Sequence, residues 1–409
     1  MGLFNKEEKT PAQTVIEDVC RVKKNERVLI IANPETTGMA QDLFTAAQNA
    51  GAHPVLMFQP KKTTLDATEK AVIGALKTEP DVTLSISALK LGRDMEAIAK
   101  PYADQDGKRY DNVFDFLLSG KKTMRAVWAP GLTEAMFNRT VKIDYKLLAD
   151  RCKKICAKYE RARSVHVTAP NGTDILVPVQ GRTPMVDNGD FSTPGSGGNI
   201  PAGEVFISPV VGKSAAQTSA LSAKTETATP ASAPQEGIRD SAETPQTASV
   251  SVPNGAQGVI VYDGSMSFSD GDMLLKNPIT VTVQNGFIVD ITGGEEAKRL
   301  LKDITAAEKE SLALESAGKL PKGHGAVYAK NARNIGELGI GLNPNANITG
   351  NMLEDEKAFR TCHFAIGENY DGDAPALIHF DGVVRNPTVE IVYENGKSFT
   401  LMNQGELNL

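Results

Sequence analysis

Two of the five histidines in the chain, His363 and His379, fall within apolar, strand-like segments near the end of the sequence, CHFAIG and ALIHFDGVV. An imidazole in an apolar strand needs a hydrogen-bond partner or a metal. His379 and Asp381 are two residues apart, and side chains at that spacing on a strand point to the same face, so H-x-D offers two donors in one direction. His363 shares its face with Ala365, whose small side chain leaves space beside the ring. One such histidine is ordinarily a satisfied core residue; two with a neighbouring aspartate point towards a metal. Two carboxylates stand in similar company, Glu337 in NIGELGIGLNP and Glu204 in NIPAGEVFISP. Taken singly, each reads as a half-exposed loop residue, yet carboxylates do not sit among apolar neighbours without compensation. Together, three carboxylates and two imidazoles match what two divalent ions require, with one carboxylate able to bridge and water completing the shell.

The elements that must position these residues follow from periodicity. Short apolar runs at 27–32 (RVLIIA), 54–58 (PVLMF), 82–87 and 126–128 read as buried strands, with a helix over 41–50 between the first two. That is βαβ grammar and predicts a parallel sheet. The turn after the first strand, NPETTG, is neither G-x-G-x-x-G nor a P-loop, which favours a scaffold role over nucleotide binding. A helix over 145–161 leads into a hairpin, 164–168 and 174–179, turning at Asn171-Gly172. The architecture therefore changes near residue 163. The stretch 183–209 is too full of Gly and Pro for regular structure and reads as a long functional loop. Strands are expected again from 257, at 279–283 and at 286–291, then a helix over 295–317, with the remainder strand-like. The fold class expected is α/β: an N-terminal parallel βαβ domain over 1–162, followed by a β-rich α+β metal-binding domain over 163–409. Residues 214–250, dominated by Ala, Ser, Thr, Pro and Glu without an aromatic residue, read as a mobile, low-complexity insert in the second domain.

Composition narrows the classes of function. With 409 residues the chain exceeds what one core usually organises. A net charge of -6 and the absence of a long basic run argue against a nucleic-acid surface. No apolar run is long enough to span a bilayer, so no membrane partner is expected. The start, MGLFNKEEKTPAQ, has no secretory apolar stretch, and Lys6 stands where a myristoylation motif wants Ser or Thr, so a cytoplasmic enzyme is expected. Four cysteines, Cys20, Cys152, Cys156 and Cys362, are too few for a disulfide scaffold. Cys152 and Cys156 share one face of the 145–161 helix, and without further ligands nearby they read as buried thiols.

The segments NIPAGEV, IGELGIG, EDEKAFRTCHFAIGENY and IHFDGVV resemble the motifs of the M29 aminopeptidases, the thermophilic aminopeptidase T and S family. The likeness covers nearly the whole chain except the insert, with VKKNERVLIIAN similar to that family's first strand and GTDILVPVQGR and DNGDFSTPG similar to the approach to its first ligand. The resemblance implies five ligands for two divalent metal ions (zinc, cobalt or manganese): Glu204, Glu337, His363, His379 and Asp381. It also implies a catalytic tyrosine at Tyr370, short peptide substrates, and a homodimer whose site faces an enclosed cavity. Three departures leave the ligand set intact and bear on the shape of the substrate pocket. Arg360 stands for the glycine of G-T-x-H, Phe380 for the tryptophan of H-W-D, and His363 and His379 are closer in sequence than in better-known members.

The function expected is therefore removal of N-terminal residues from short peptides by a metal-activated water. Tyr370 would donate to the oxyanion, and Glu337 or Glu204 would carry the proton to the leaving amine. Asp355 and Glu356 are candidates for outer support of the ligands, although a solvated charge run is the commoner form of EDEK. A mononuclear Fe(II) ring-cleaving dioxygenase is the alternative, because His363, His379 and Asp381 alone make a two-His, one-carboxylate set. The third reading is a non-catalytic metal-binding member.

Overall fold

The computed structural model describes residues 8–63, 66–212 and 254–409. The expected insert at 214–250 lies outside the described residues. Among those described, no helix is long and apolar enough to cross a membrane.

The N-terminal region forms a parallel sheet in the order His53–Phe58, Arg27–Ala32, Val82–Ile86, Arg125–Trp128, Gly197–Asn199. Along Arg27–Ala32 the side chains alternate between two cores, as a period of two requires. Val28, Ile30 and Ala32 join the main core, while Leu29 and Ile31 pack with Val72, Leu76 and Phe114 on the other face. The crossover helix Thr37–Asn49 begins earlier than its apolar pattern predicts and buries Met39, Ala40, Leu43, Ala46 and Ala47 along one stripe. Asn33, in the turn after the first strand, donates to Gln59 O and accepts from the Ala88 N–H, so a protein side chain ties the strand ends together there.

The sheet's last strand, Gly197–Asn199, comes from the later part of the chain. It belongs to the 183–209 stretch, which holds three short strands, Met185–Asp187, Gly197–Asn199 and Glu204–Ile207, rather than the irregular loop expected from its composition. Partners elsewhere impose that structure. A Cβ on Gly197 would meet Ala126 O at 2.6 Å, so glycine here permits the close strand contact instead of preventing it.

Besides a two-stranded ribbon of Tyr102–Ala103 and Arg109–Tyr110, two large antiparallel sheets are present. One runs Phe287–Gly293, Ile279–Gln284, Gln257–Tyr262, Asp174–Pro178, Ala162–Thr168, Thr388–Tyr393, Ser398–Asn403, Glu406–Leu407, and contains the expected hairpin. The other runs Gly271–Leu274, Ser265–Phe268, His379–Arg385, Thr361–Gly367, Ile335–Gly341, Glu204–Ile207, Met185–Asp187. The helix Tyr145–Lys158 precedes the hairpin and ends sooner than expected, with Arg161 at a φ of 59°. Cys152 is buried on it and Cys156 half-buried. Helix Glu295–Ser316 matches its predicted span, but the rest is not wholly strand-like. Helix His324–Asn331 packs beside it, and the single turn Met352–Asp355 precedes the His363 strand. These short helices carry too few apolar positions to announce themselves by period.

Candidate metal centre

Four adjacent strands of the seven-stranded sheet bring the candidate ligands to one face. Glu204 pairs with Gly341, Gly339 with His363, Glu337 with Ala365, Ala365 with Asp381, and Gly367 with His379. Directly paired residues point to the same side, so one surface carries all five ligands interleaved with glycine and alanine. Small residues make the floor of a cavity, and one is indispensable. A Cβ on Gly339 would fall 2.0 Å from His363 Nε2.

Glu337 lies between the histidines. Its Oε1 is 2.9 Å from His363 Nε2, and its Oε2 is 3.7 Å from His379 Nε2. His363 Nε2 is also 3.5 Å from Glu204 Oε2, and His379 Nε2 is 3.4 Å from Asp381 Oδ1. The acids and imidazoles divide into two sets that could each hold an ion, Glu204 with Glu356 and His363, and Glu337 with His379 and Asp381. His379 Nδ1 is 2.9 Å from Glu368 O, a contact that places a proton on Nδ1 and, in the neutral ring, turns the lone pair of Nε2 to the cluster.

All the sequence-predicted ligands converge; the structure gives the outer-support candidates Asp355 and Glu356 different roles and adds Glu354, Lys357 and Asp187, which sequence reasoning missed. Glu354 and Asp355 are buried rather than solvated. Glu354 takes both its oxygens to Arg139 at 2.7 and 2.6 Å, and Asp355 accepts backbone N–H bonds from Thr349 and Gly350, which holds the loop before the short helix. Asp355 is thus a loop clamp. Glu356 stands among the ligand groups themselves, and Lys357, with no solvent exposure, reaches Glu204 Oε1 at 2.8 Å and also Glu356. Asp187, paired with Glu204 on the edge strand, lies 4.0 Å from the same ammonium. The sequence signal was faint: four charges abut a fully buried strand, but their partners lie far away along the chain.

Burial sets the electrostatics. It raises Glu337, and Asp381 adds to the shift against the opposing pull of His363. It pushes Glu356 to about 8, Lys357 opposing, and Asp187 to about 7. Burial alone would lower the histidines, but the hydrogen bond that His363 donates to Glu337 and the surrounding acids carry His363 to about 9, and Asp381 and Glu337 carry His379 to about 10. Burial would raise Asp381, and the charge of His379 holds it instead at about 2. Protons thus do the work of balancing crowded carboxylates, work that divalent cations do by displacing them. Glu204 Oε2 and Asp381 Oδ1 are buried without a hydrogen-bond partner, an arrangement that fits cation ligands. The mixed oxygen and imidazole donors suit divalent ions of the zinc or iron type.

Tyr370 follows on the loop after the His363 strand. The residue is 61% exposed, and its ring lies 5.1 Å from the His379 ring and 5.4 Å from that of Phe206, centroid to centroid. Asn369 bonds Asp373 within that loop, and Arg182 grips Asp373 at 2.8 Å from a neighbouring segment. Tyr370 is therefore held at the open side of the cluster. Arg360 occupies the position where a glycine was expected, with a φ of 70°, a conformation that favours glycine.

A parallel sheet joined to antiparallel sheets, with acids and imidazoles gathered on one of them, defines an α/β protein with a candidate two-cation centre. No family model matches the chain, and no curated protein matches its sequence. Solved structures share the fold across nearly the full length. The 2,5-dihydroxypyridine dioxygenase from Pseudomonas putida KT2440 is similar with a TM-score of 0.62 and 16% identity, covering 97% of this chain and 96% of that one. Wild-type AmpT from Thermus thermophilus is similar with a TM-score of 0.57 and 15% identity, covering 98% of each chain. The fold is thus that of both enzymes.

Proposed function

We propose that the chain is a metal-dependent aminopeptidase that removes N-terminal residues from short peptides. The observation that carries this reading is Glu337, which turns one oxygen to each histidine and so joins the two ligand sets. Zinc, cobalt or manganese held by these sets would supply an activated water and polarise the scissile carbonyl. Glu204, Glu356 and His363 would hold one ion, His379 and Asp381 the other, and Glu337 would be available to both. The hydroxyl of Tyr370, whose ring packs on His379, donates to the carbonyl oxygen as it gains charge. A peptide's free amine is recognised by a carboxylate of the cluster, which confines the reaction to N-termini. The homodimer with an enclosed cavity belongs to the same reading, and it restricts substrates to short peptides.

The dioxygenase reading is second, favoured by the similarity to the pyridine-ring enzyme and by the His363, His379, Asp381 set. Charge weighs against it. When ionised, the carboxylates of Asp187, Glu204, Glu337, Glu356 and Asp381, set against the ammonium of Lys357, leave four negative charges, the complement of two divalent cations with neutral imidazoles. A single Fe(II) would offset half of that charge and leave the other half to protons, which burial favours on Glu356 and Asp187.

Metal content by elemental mass spectrometry on anaerobically purified protein, beside hydrolysis of aminoacyl substrates, tests the choice. Two zinc, cobalt or manganese ions per chain, reduced in Glu337→Gln together with loss of hydrolysis, is the expected result. One iron per chain, unaffected by Glu337→Gln, would overturn the aminopeptidase in favour of the dioxygenase.

A further inference from the structure

Lys357 is fully buried, two residues after the turn Met352–Asp355. Its ammonium bonds Glu204 Oε1 at 2.8 Å, bonds Glu356 Oε1, and lies 4.0 Å from Asp187 Oδ2. A buried ammonium persists only among anions, and here two of those anions are also members of one ligand set, Glu204, Glu356 and His363. Lys357 reaches the other set only as a more distant charge on Asp381, behind those of His379 and His363. Among the described residues, neither Glu337 nor Asp381 makes an ion pair with a lysine or arginine.

Resting on the two-ion reading, we infer that Lys357 is a built-in cation that makes the two metal positions unequal. The ammonium takes Glu204 Oε1 and one oxygen of Glu356, and leaves Glu204 Oε2 without a hydrogen-bond partner. It thereby orients both carboxylates so that each offers a single oxygen. It also places a positive charge beside the position those oxygens define, where the field is little screened. Lys357 is a positioning residue with an electrostatic cost. The Glu337, His379, Asp381 position fills first, and the Glu204, Glu356, His363 position fills only at higher metal concentration, as the exchangeable ion.

The test is calorimetric titration of the metal-free full-length protein with cobalt chloride, with the visible cobalt absorption followed in parallel. Wild type is expected to bind in two steps whose Kd values differ by about tenfold or more. Lys357→Met keeps the stem and removes the charge. The weaker step should then tighten by about tenfold while the tighter step changes little. A lysine that served only to hold the fold would move both steps together, and one that only oriented the carboxylates would weaken the second step; either result overturns the inference. Should Lys357→Met fail to fold, His379→Gln and His363→Gln decide the order. His379→Gln should abolish the tighter step and His363→Gln the weaker, and the reverse assignment overturns the inference.

The outcomes also separate this inference from the reading on which it rests. Two ions bound by wild type with one Kd would overturn the role of Lys357 and leave the two-ion centre standing. One ion in wild type and two in Lys357→Met would support the role of Lys357 while removing the two-ion centre from the natural protein. One ion in both would overturn both.

Discussion

Gly339 lies directly across the sheet from His363, and the imidazole occupies the space a side chain at 339 would need, with Nε2 2.0 Å from the position of a Cβ. The candidate ligand set therefore depends on a residue that contributes no side chain to it. Gly339→Ala should displace the ring and cost about 1–3 kcal/mol of stability through overpacking. Cobalt binding should weaken at the same time. A chemical denaturation curve and a metal titration check this together; an unchanged metal affinity would mean that His363 does not contribute its Nε2.

Tyr370 packs its ring on His379 yet stays largely open. A hydrogen bond made chiefly in the transition state affects turnover more than binding, so Tyr370→Phe should lower kcat about 10²- to 10³-fold and leave KM nearly constant. Steady-state kinetics on an aminoacyl substrate measure the split. A rise in KM at constant kcat would recast Tyr370 as a substrate-binding residue.

Without metal, the stability of the protein should fall as pH rises. His363 at about 9 and His379 at about 10 stand above their unfolded value, so the stability they contribute is complete below about pH 6.5 and is lost as pH rises through their folded values. Glu356, raised to about 8, acts in the same direction, because the folded state there favours the proton. Bound cations replace those protons. The difference in Tm between metal-loaded and chelator-treated protein should therefore widen between pH 6 and pH 9, as differential scanning fluorimetry would show. A constant or narrowing gap would contradict the proton–metal exchange.

Arg360 holds a φ of 70°, and among the described residues its side chain pairs with Glu406 at 2.8 Å in an exposed ion pair. Arg360→Gly relieves the backbone and loses little from the pair, so a gain of about 1 kcal/mol is expected. Thermal denaturation checks it, and a loss of stability would assign Arg360 a packing role.

Much of the candidate site was legible in local sequence. H-x-D on a strand fixes His379 and Asp381 to one face because the period of a strand is two, and the same rule places Glu337 beside Gly339 and Gly341. The parallel sheet was likewise announced by RVLIIA and its neighbours, since a strand buried on both faces is apolar at nearly every position. The strand carrying Glu204 was not, because its glycine-rich surroundings become a strand only through pairing with Ile335–Gly341 and Met185–Asp187.

The sequence by itself determined which residue types could ligate a cation and which local faces they share, because these follow from chain geometry over a few residues. Tertiary structure alone decided that Glu337 stands between two imidazoles, that Glu356 joins one candidate ligand set, and that Lys357 is buried against Glu204. Those relationships depend on strand register between segments far apart in the chain, and on whether a charge meets its counter-charge after burial. Neither is encoded in a local pattern.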